Sequence, residues 1–139
     1  MPLVSLTRLR IRSIRFLPGF ALYTMQAQRQ LKRANGHLAG KLLADRSFTF
    51  WTLTAWDSEA SMRAYMTNGA HKRAMPHLLN WCDQASVAHW TQPEMELPPW
   101  EEADRRMRAN GRISKVRHPD PDHASLNYRA PRTSGSIRL

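Results

Sequence analysis

The sequence predicts an α+β protein made of two consecutive strand–helix–strand units. Three features of the 139-residue chain support this fold class. Residues 48–56 form an aromatic and β-branched run that is typical of a half-buried strand. Residues 20–34 place their apolar side chains at helical spacing. Asn-Gly pairs at 35–36 and 68–69 each predict a helix stop, because glycine tolerates the left-handed backbone found there.

The first half of the chain reads as strand, helix, strand. Residues 4–13 alternate between apolar side chains and arginines, which predicts a strand with one dry face and one polar face. Pro18 is tolerated in the first turn of the helix that follows. Residues 37–45 predict a second strand with a bend at a glycine, and Arg46-Ser47 predicts a tight turn into the run 48–56.

The second half repeats this order. Asp57 and Ser58 are good N-cap residues for a helix, which is followed by a shorter helix ending near Trp81. Residues 84–90 predict the last strand. The resulting β-α-β-β-α-β order is that of a ferredoxin-like protomer, a four-stranded antiparallel sheet with two helices on one face. Two segments follow the 1–92 domain: a Pro-rich linker with a short helix over 93–111, and a tail over 112–139.

The other face of the sheet would be bare, and an exposed apolar sheet normally finds a cover. A homodimer that packs two sheets face to face, as in a dimeric α+β barrel, would supply it. Strand alternation puts Thr49, Trp51, Leu53 and Ala55 on one face, which is more uniformly apolar and suits such an interface. The opposite face mixes hydroxyl and aromatic side chains and suits the wall of a pocket.

The charge distribution and composition limit the classes of binding partner that we expect. Residues 105–139 hold nine of the 21 Lys and Arg but only two of the 11 acidic residues, and few large apolar residues after Ile113. We therefore expect a basic, disordered tail on a nearly neutral domain. Nucleic acid is not the expected partner, because the tail has only Tyr128 for base stacking.

Neither a membrane span nor a metal site is expected. No apolar segment approaches the roughly 20 residues needed to cross a bilayer. Cys82 is the only cysteine, so no internal disulfide and no zinc-binding cysteine pair can form. We therefore expect the protein to be located in the cytoplasm.

The chain resembles a known family roughly over residues 4–91 in the order of its elements, and specifically over residues 50–81. The sequence Thr52-x-x-x-Trp56-Asp57-Ser58, followed by Gly69-Ala70-His71 and Trp81, is similar to the dimeric α+β barrel superfamily. Within it, the chain resembles the antibiotic-biosynthesis-monooxygenase-like proteins, and most of all the spheroidene-monooxygenase-related bacterial proteins. The resemblance implies a homodimer and a pocket for a small, mostly apolar molecule. It implies monooxygenase chemistry with either no cofactor or haem, so the cofactor stays open.

His71 is the candidate catalytic residue. It follows the predicted helix stop, and its near-neutral pKa suits a general acid or base, while its ring nitrogen could also ligate haem. The alternative is a histidine that hydrogen-bonds the loop and fixes the corner between two helices. Eight further residues are expected to line the substrate pocket, although core packing is an alternative for each: Phe50, Thr52, Thr54, Trp56, Tyr65, Met66, Met75 and Trp81.

Two functions follow from these observations. The first is a monooxygenase-like protein that acts on a small hydrophobic or aromatic compound between sheet and helices. The alternative is a non-catalytic dimeric module that binds a small ligand.

Overall fold

The computed structural model describes residues 1–139 and places six strands and four α-helices in one unit. The strands are β1 (Leu3–Ile11), β2 (His37–Ala44), β3 (Thr49–Trp56), β4 (Cys82–Thr91), β5 (Arg112–Ile113) and β6 (Ser136–Arg138). The helices are α1 (Leu17–Lys32), α2 (Glu59–Met66), α3 (Gly69–Trp81) and α4 (Trp100–Asn110). None of these helices is long and apolar enough to cross a membrane.

The strands form one antiparallel sheet in the order β5-β4-β1-β3-β2-β6. Its four long strands have the order β4-β1-β3-β2, which is the ferredoxin-like arrangement. The predicted fold class is therefore confirmed. The two short strands at the edges, β5 and β6, were not predicted, since residues 112–139 carry no strand pattern.

The helix boundaries follow from local chemistry. The Ser58 side chain accepts a hydrogen bond from the Ser61 amide at 3.1 Å and caps the start of α2. Gly36 and Gly69 have φ angles of +84° and +60°, which glycine adopts at low cost. A Cβ atom on Gly36 would also collide with the side chains of Asp57 and Ser61. The two predicted helix stops are thus placed differently: the first Asn-Gly pair forms the turn between α1 and β2, and the second starts α3, with Asn68 as its N-cap, directly after α2 ends.

Helices α1, α2 and α3 cover the mixed face of the sheet. The rings of Phe20 in α1 and Phe50 in β3 lie 4.7 Å apart between centroids. The rings of Trp56 in β3 and Tyr65 in α2 lie 5.4 Å apart. The face of β3 that carries the hydroxyl groups is thus the one that meets the helices.

The more apolar face is covered by α4, and this corrects the expected dimer interface. Trp100, Ala103 and Met107 project from one side of α4, and none is more than 3% exposed. They pack in one buried cluster with the sheet residues Val4, Leu6, Leu43, Trp51, Leu53, Ala88 and Trp90. The sequence predicted α4 itself. Its many charged residues made it difficult to recognise the apolar stripe at i, i+3 and i+7, which covers this face of the sheet within one chain.

The segment from 112 to 139 runs along the sheet, whereas disorder was expected. β5 pairs with β4, β6 pairs with β2, and residues between them cross the α4 side. Tyr128 lies between two guanidinium groups, those of Arg8 at 4.3 Å and Arg108 at 4.2 Å from its ring centroid. Its hydroxyl donates to Asp104 Oδ1 at 2.6 Å. These polar contacts hold a segment that lacks enough large apolar residues to form a core of its own.

Candidate functional site

A cavity of about 190 Å³ lies between the sheet and helices α1, α2 and α3. Eighteen of its 27 lining residues are hydrophobic, so its walls are mostly apolar. Residues 114–116 and Leu139 also reach it, from opposite edges of the sheet. A mostly apolar concave site with a few polar groups is the usual form of a small-molecule site.

The structure brings seven of the nine predicted site residues to this cavity, namely Thr52, Thr54, Trp56, Tyr65, Met66, His71 and Met75. They come from β3, from α2 and from the first half of α3. The strand alternation in β3 and the helical spacing of the α2 stripe therefore gave the correct sides of both elements.

Phe50 and Trp81 lie outside the cavity. Phe50 packs on Phe20, in a separate cluster near the end of the sheet. Trp81, the last residue of α3, stacks on Phe16 with ring centroids 6.2 Å apart and lies against Gly19. Both aromatic rings join α1 to its neighbours, which is the core-packing alternative.

Four hydroxyl groups form the floor of the cavity. Ser5 is paired with Thr54, and Thr7 with Thr52, so the four side chains lie on adjacent positions of β1 and β3. The Thr54 hydroxyl accepts a hydrogen bond from Trp56 Nε1 at 2.9 Å. The other three hydroxyls bond no other side chain in the structure, so they can donate to a ligand or accept from it.

Ser5 and Thr7 were not among the predicted site residues. Their spacing was nevertheless informative, because they lie four and two positions before Leu9, respectively, and so share its face of β1. These positions could be assigned to the cavity only once the pairing of β1 with β3 was known.

His71 is fixed at the corner between α2 and α3. Its backbone amide donates to Gln30 Oε1 at 2.9 Å. The Gln30 amide group in turn donates to the carbonyl oxygens of Tyr65 and Asn68, at 3.0 and 2.8 Å. One glutamine from α1 thus holds the end of α2 and the start of α3 in place around His71.

The side-chain contacts of His71 define its tautomer. Its Nδ1 lies 3.1 Å from the Met66 carbonyl oxygen, and a carbonyl can only accept, so Nδ1 carries the proton. Burial lowers the pKa of His71, and the bond to Met66 opposes this only in part. The ring is therefore neutral at pH 7, with an unprotonated, basic Nε2.

Tyr65 lies beside His71, with ring centroids 5.0 Å apart. Its hydroxyl donates to the Ala27 carbonyl oxygen at 3.2 Å, and burial raises its pKa to about 12. Tyr65 therefore stays protonated and contributes a mostly apolar surface to the cavity. Among the neutral side chains that line the cavity, only that of His71 carries a basic nitrogen.

The fold is shared with several solved α+β structures. A conserved protein from Methanosarcina mazei has a TM-score of 0.60 at 10% identity, over 66% of this chain and 93% of that chain. The cofactor-independent oxygenase SnoaB from Streptomyces nogalater has a TM-score of 0.56 at 13% identity, over 70% and 97%. An antibiotic-biosynthesis-monooxygenase candidate from Nitrosomonas europaea has a TM-score of 0.59 at 12% identity, over 66% and 90%. At these identities the likeness establishes the fold alone, and it confirms the resemblance seen in the sequence.

The chain belongs to the family described as a domain of unknown function, DUF3291, whose pattern matches residues 16–114. The match continues past residue 92 and includes α4, the helix that closes the second face of the sheet. No curated protein matches the chain.

Proposed function

We propose that this protein is a monooxygenase-like enzyme that acts on a small, mostly apolar compound in the cavity, with His71 as the proton-transfer group. One observation carries the proposal. A neutral histidine, oriented by the Met66 carbonyl, brings a basic nitrogen to an apolar cavity that also holds free hydroxyl groups. A base that is unprotonated at pH 7 and lies among mostly apolar side chains suits proton abstraction.

The size of the cavity limits the substrate. A cavity of roughly 150 Å³ holds benzene, and ligand pockets typically measure about 300–1,000 Å³. At about 190 Å³, this cavity suits a compound with one ring or a short chain. The flexible side chains of Met62, Met66 and Met75 line it and can adapt to a somewhat larger guest.

The chemistry follows from these groups. His71 Nε2 would remove a proton from a substrate hydroxyl or an activated C–H group, leaving an electron-rich anion. Dioxygen would add to a carbon of this anion to form a peroxide, and cleavage of the O–O bond would leave one oxygen as a carbonyl on that carbon, while the other leaves as water with the proton held by His71 and the remaining hydrogen of that carbon. The hydroxyls of Ser5, Thr7 and Thr52 would donate hydrogen bonds to the developing negative charge.

The cavity does not fit haem, the other cofactor that the family resemblance left open. A tetrapyrrole is several times larger than benzene, whereas the cavity is only slightly larger than a benzene-binding one. We therefore assign His71 no role as a haem ligand.

A non-catalytic binding module is the second candidate, and the corner contacts of His71 favour it. The hydrogen bonds from His71 to Gln30 and Met66 would be needed to join α2 to α3 whether or not the protein is an enzyme. In this case the cavity would sequester or sense the same compounds without turnover.

Two variants of His71 separate these candidates. In His71→Asn the side-chain amide can take the place of Nδ1 and still donate to Met66, but Nε2 is lost. In His71→Gln the amide reaches the position of Nε2, and the bond to Met66 is lost. Oxygen uptake would be measured with methylhydroquinone as the probe, and ligand binding by the shift in thermal unfolding.

For an enzyme we expect oxygen uptake by the wild type and a loss of about 10²–10⁴-fold in His71→Asn, with thermal protection by methylhydroquinone retained. Protection without uptake in wild type and variant alike would favour the binding module. If methylhydroquinone and other single-ring phenols give neither protection nor uptake, the proposed site is wrong.

We also propose a homodimer, as the family resemblance implied, and a cytoplasmic location, as the sequence composition indicated. Because α4 covers the apolar face of the sheet, such a dimer would use a different surface. Native mass spectrometry at low micromolar concentration would report the oligomeric state directly, and a strictly monomeric protein would exclude the dimer.

A further inference from the structure

One edge of the cavity carries a basic segment, residues 112–117, with Arg112, Lys115, Arg117 and no acidic residue. The Ser114 amide donates to the Ala85 carbonyl oxygen at 2.8 Å, and the Arg117 amide donates to that of Leu79 at 2.9 Å. The segment therefore bridges the edge of β4 and the end of α3. This places Lys115 among the residues that line the cavity.

Lys115 is the only permanently charged residue of the lining. The other polar residues there are neutral hydroxyls, amides and His71, and no Asp or Glu contributes. No ion pair in the structure involves any of the three basic residues of the segment. The rim thus presents an uncompensated positive charge above a mostly apolar interior, an arrangement that attracts anions into a cleft.

We propose that the ligand is a small organic acid, with an aromatic or aliphatic body in the cavity and its carboxylate at the rim beside the Lys115 ammonium group. This inference rests on the proposed function, because it assumes that the cavity is the ligand site. The hydroxyl floor donates to neutral and anionic groups alike, so Lys115 is the group that selects charge. The apolar wall, in turn, favours a carboxylate with a single ring or chain over a free inorganic anion.

Three single-ring probes of similar size and different charge test the proposal: benzoate, benzyl alcohol and benzylamine. Isothermal titration calorimetry of the wild type should show the tightest binding for benzoate. Lys115→Gln should weaken benzoate by about twofold to fivefold, the range for a solvent-exposed charge pair, and leave benzyl alcohol unchanged. Lys115→Glu should reverse the order of benzoate and benzylamine, and raising the salt concentration should reduce the preference in the wild type.

Lys72→Gln is the matched control. Lys72 is an exposed lysine next to His71 that does not line the cavity, so its loss should leave all three affinities unchanged. Equal affinities for benzoate and benzyl alcohol, or equal losses in both lysine variants, would overturn the organic-acid inference and leave the cavity as a ligand site. Binding of none of the three probes would overturn the inference together with the proposed site.

Discussion

Replacing Met107 by alanine tests whether α4 covers the sheet within one chain. Met107 is fully buried in the cluster that joins α4 to β1 and β3. Its loss removes most of a buried side chain, worth about 1.5–3 kcal/mol of transfer free energy, and leaves a void that neighbouring tryptophans fill only in part. The small gain in helix propensity from alanine offsets little of this. We expect the free energy of unfolding to fall by about 2–4 kcal/mol.

Urea unfolding followed by tryptophan fluorescence is the assay, since Trp51 and Trp100 belong to the same cluster as Met107. Met25→Ala is the control, because Met25 lies on the outer side of α1 and is 49% exposed. A surface substitution of this kind should change stability by less than about 0.5 kcal/mol.

Equal stabilities of the two variants would refute the reasoning. α4 would then lie off the sheet in solution, and the apolar face of β3 would be free to pack on a second copy. A change of oligomeric state in Met107→Ala, read by native mass spectrometry, would also refute it, because α4 would then be packing on a partner chain.

Three further predictions concern pH, thiol reactivity and a turn. Burial lowers the pKa values of three histidines in the folded protein. Near and below the ordinary histidine pKa of about 6.5, the unfolded chain therefore binds more protons than the folded protein does. The free energy of unfolding should consequently fall as the pH is lowered from about 7.5 to 5.5. These histidines are His37, His71 and His89. In urea unfolding, the double variant His37→Gln, His89→Gln should lose less stability over that pH range than the wild type. An equal loss would contradict the assignment of the pH dependence to these histidines. Cys82 is fully buried with its pKa raised to about 12, so it should react with a disulfide reagent only on unfolding, and rapid labelling of native protein would be inconsistent with the structure. Gly36→Ala should destabilise by about 1–3 kcal/mol, more than Gly135→Ala, because both have positive φ but only Gly36 also faces a clash; equal effects on the melting temperature would argue against the clash.

Most of the fold was predictable because it depends on local signals. The Asn-Gly pairs between elements, the Ser58 cap and the alternation in residues 48–56 each act within a few residues, and together they indicate the order of strands and helices. The cover of the second face was not predictable in this way. Val4 and Met107 belong to one cluster although they are far apart in the sequence, and charged residues surround the stripe on α4.

The candidate site was predictable where one element carried the signal. The polar side of β3 and the position of His71 after a helix stop led to the correct side of the sheet. The hydroxyl floor required the pairing of β1 with β3, which a single strand cannot reveal. Lys115 was hidden for a different reason, because a basic stretch with few apolar residues resembles a solvated tail until its backbone hydrogen bonds are known.

The short strands β5 and β6 affect how this protein behaves at high concentration. They end the sheet with only two and three residues, and each contributes an arginine, Arg112 on one side and Arg138 on the other. Brief, positively charged outer strands give an approaching copy little backbone to pair with, and they repel it. Polymerisation by strand addition, a common route to fibres for proteins with open sheets, is thereby disfavoured at both edges.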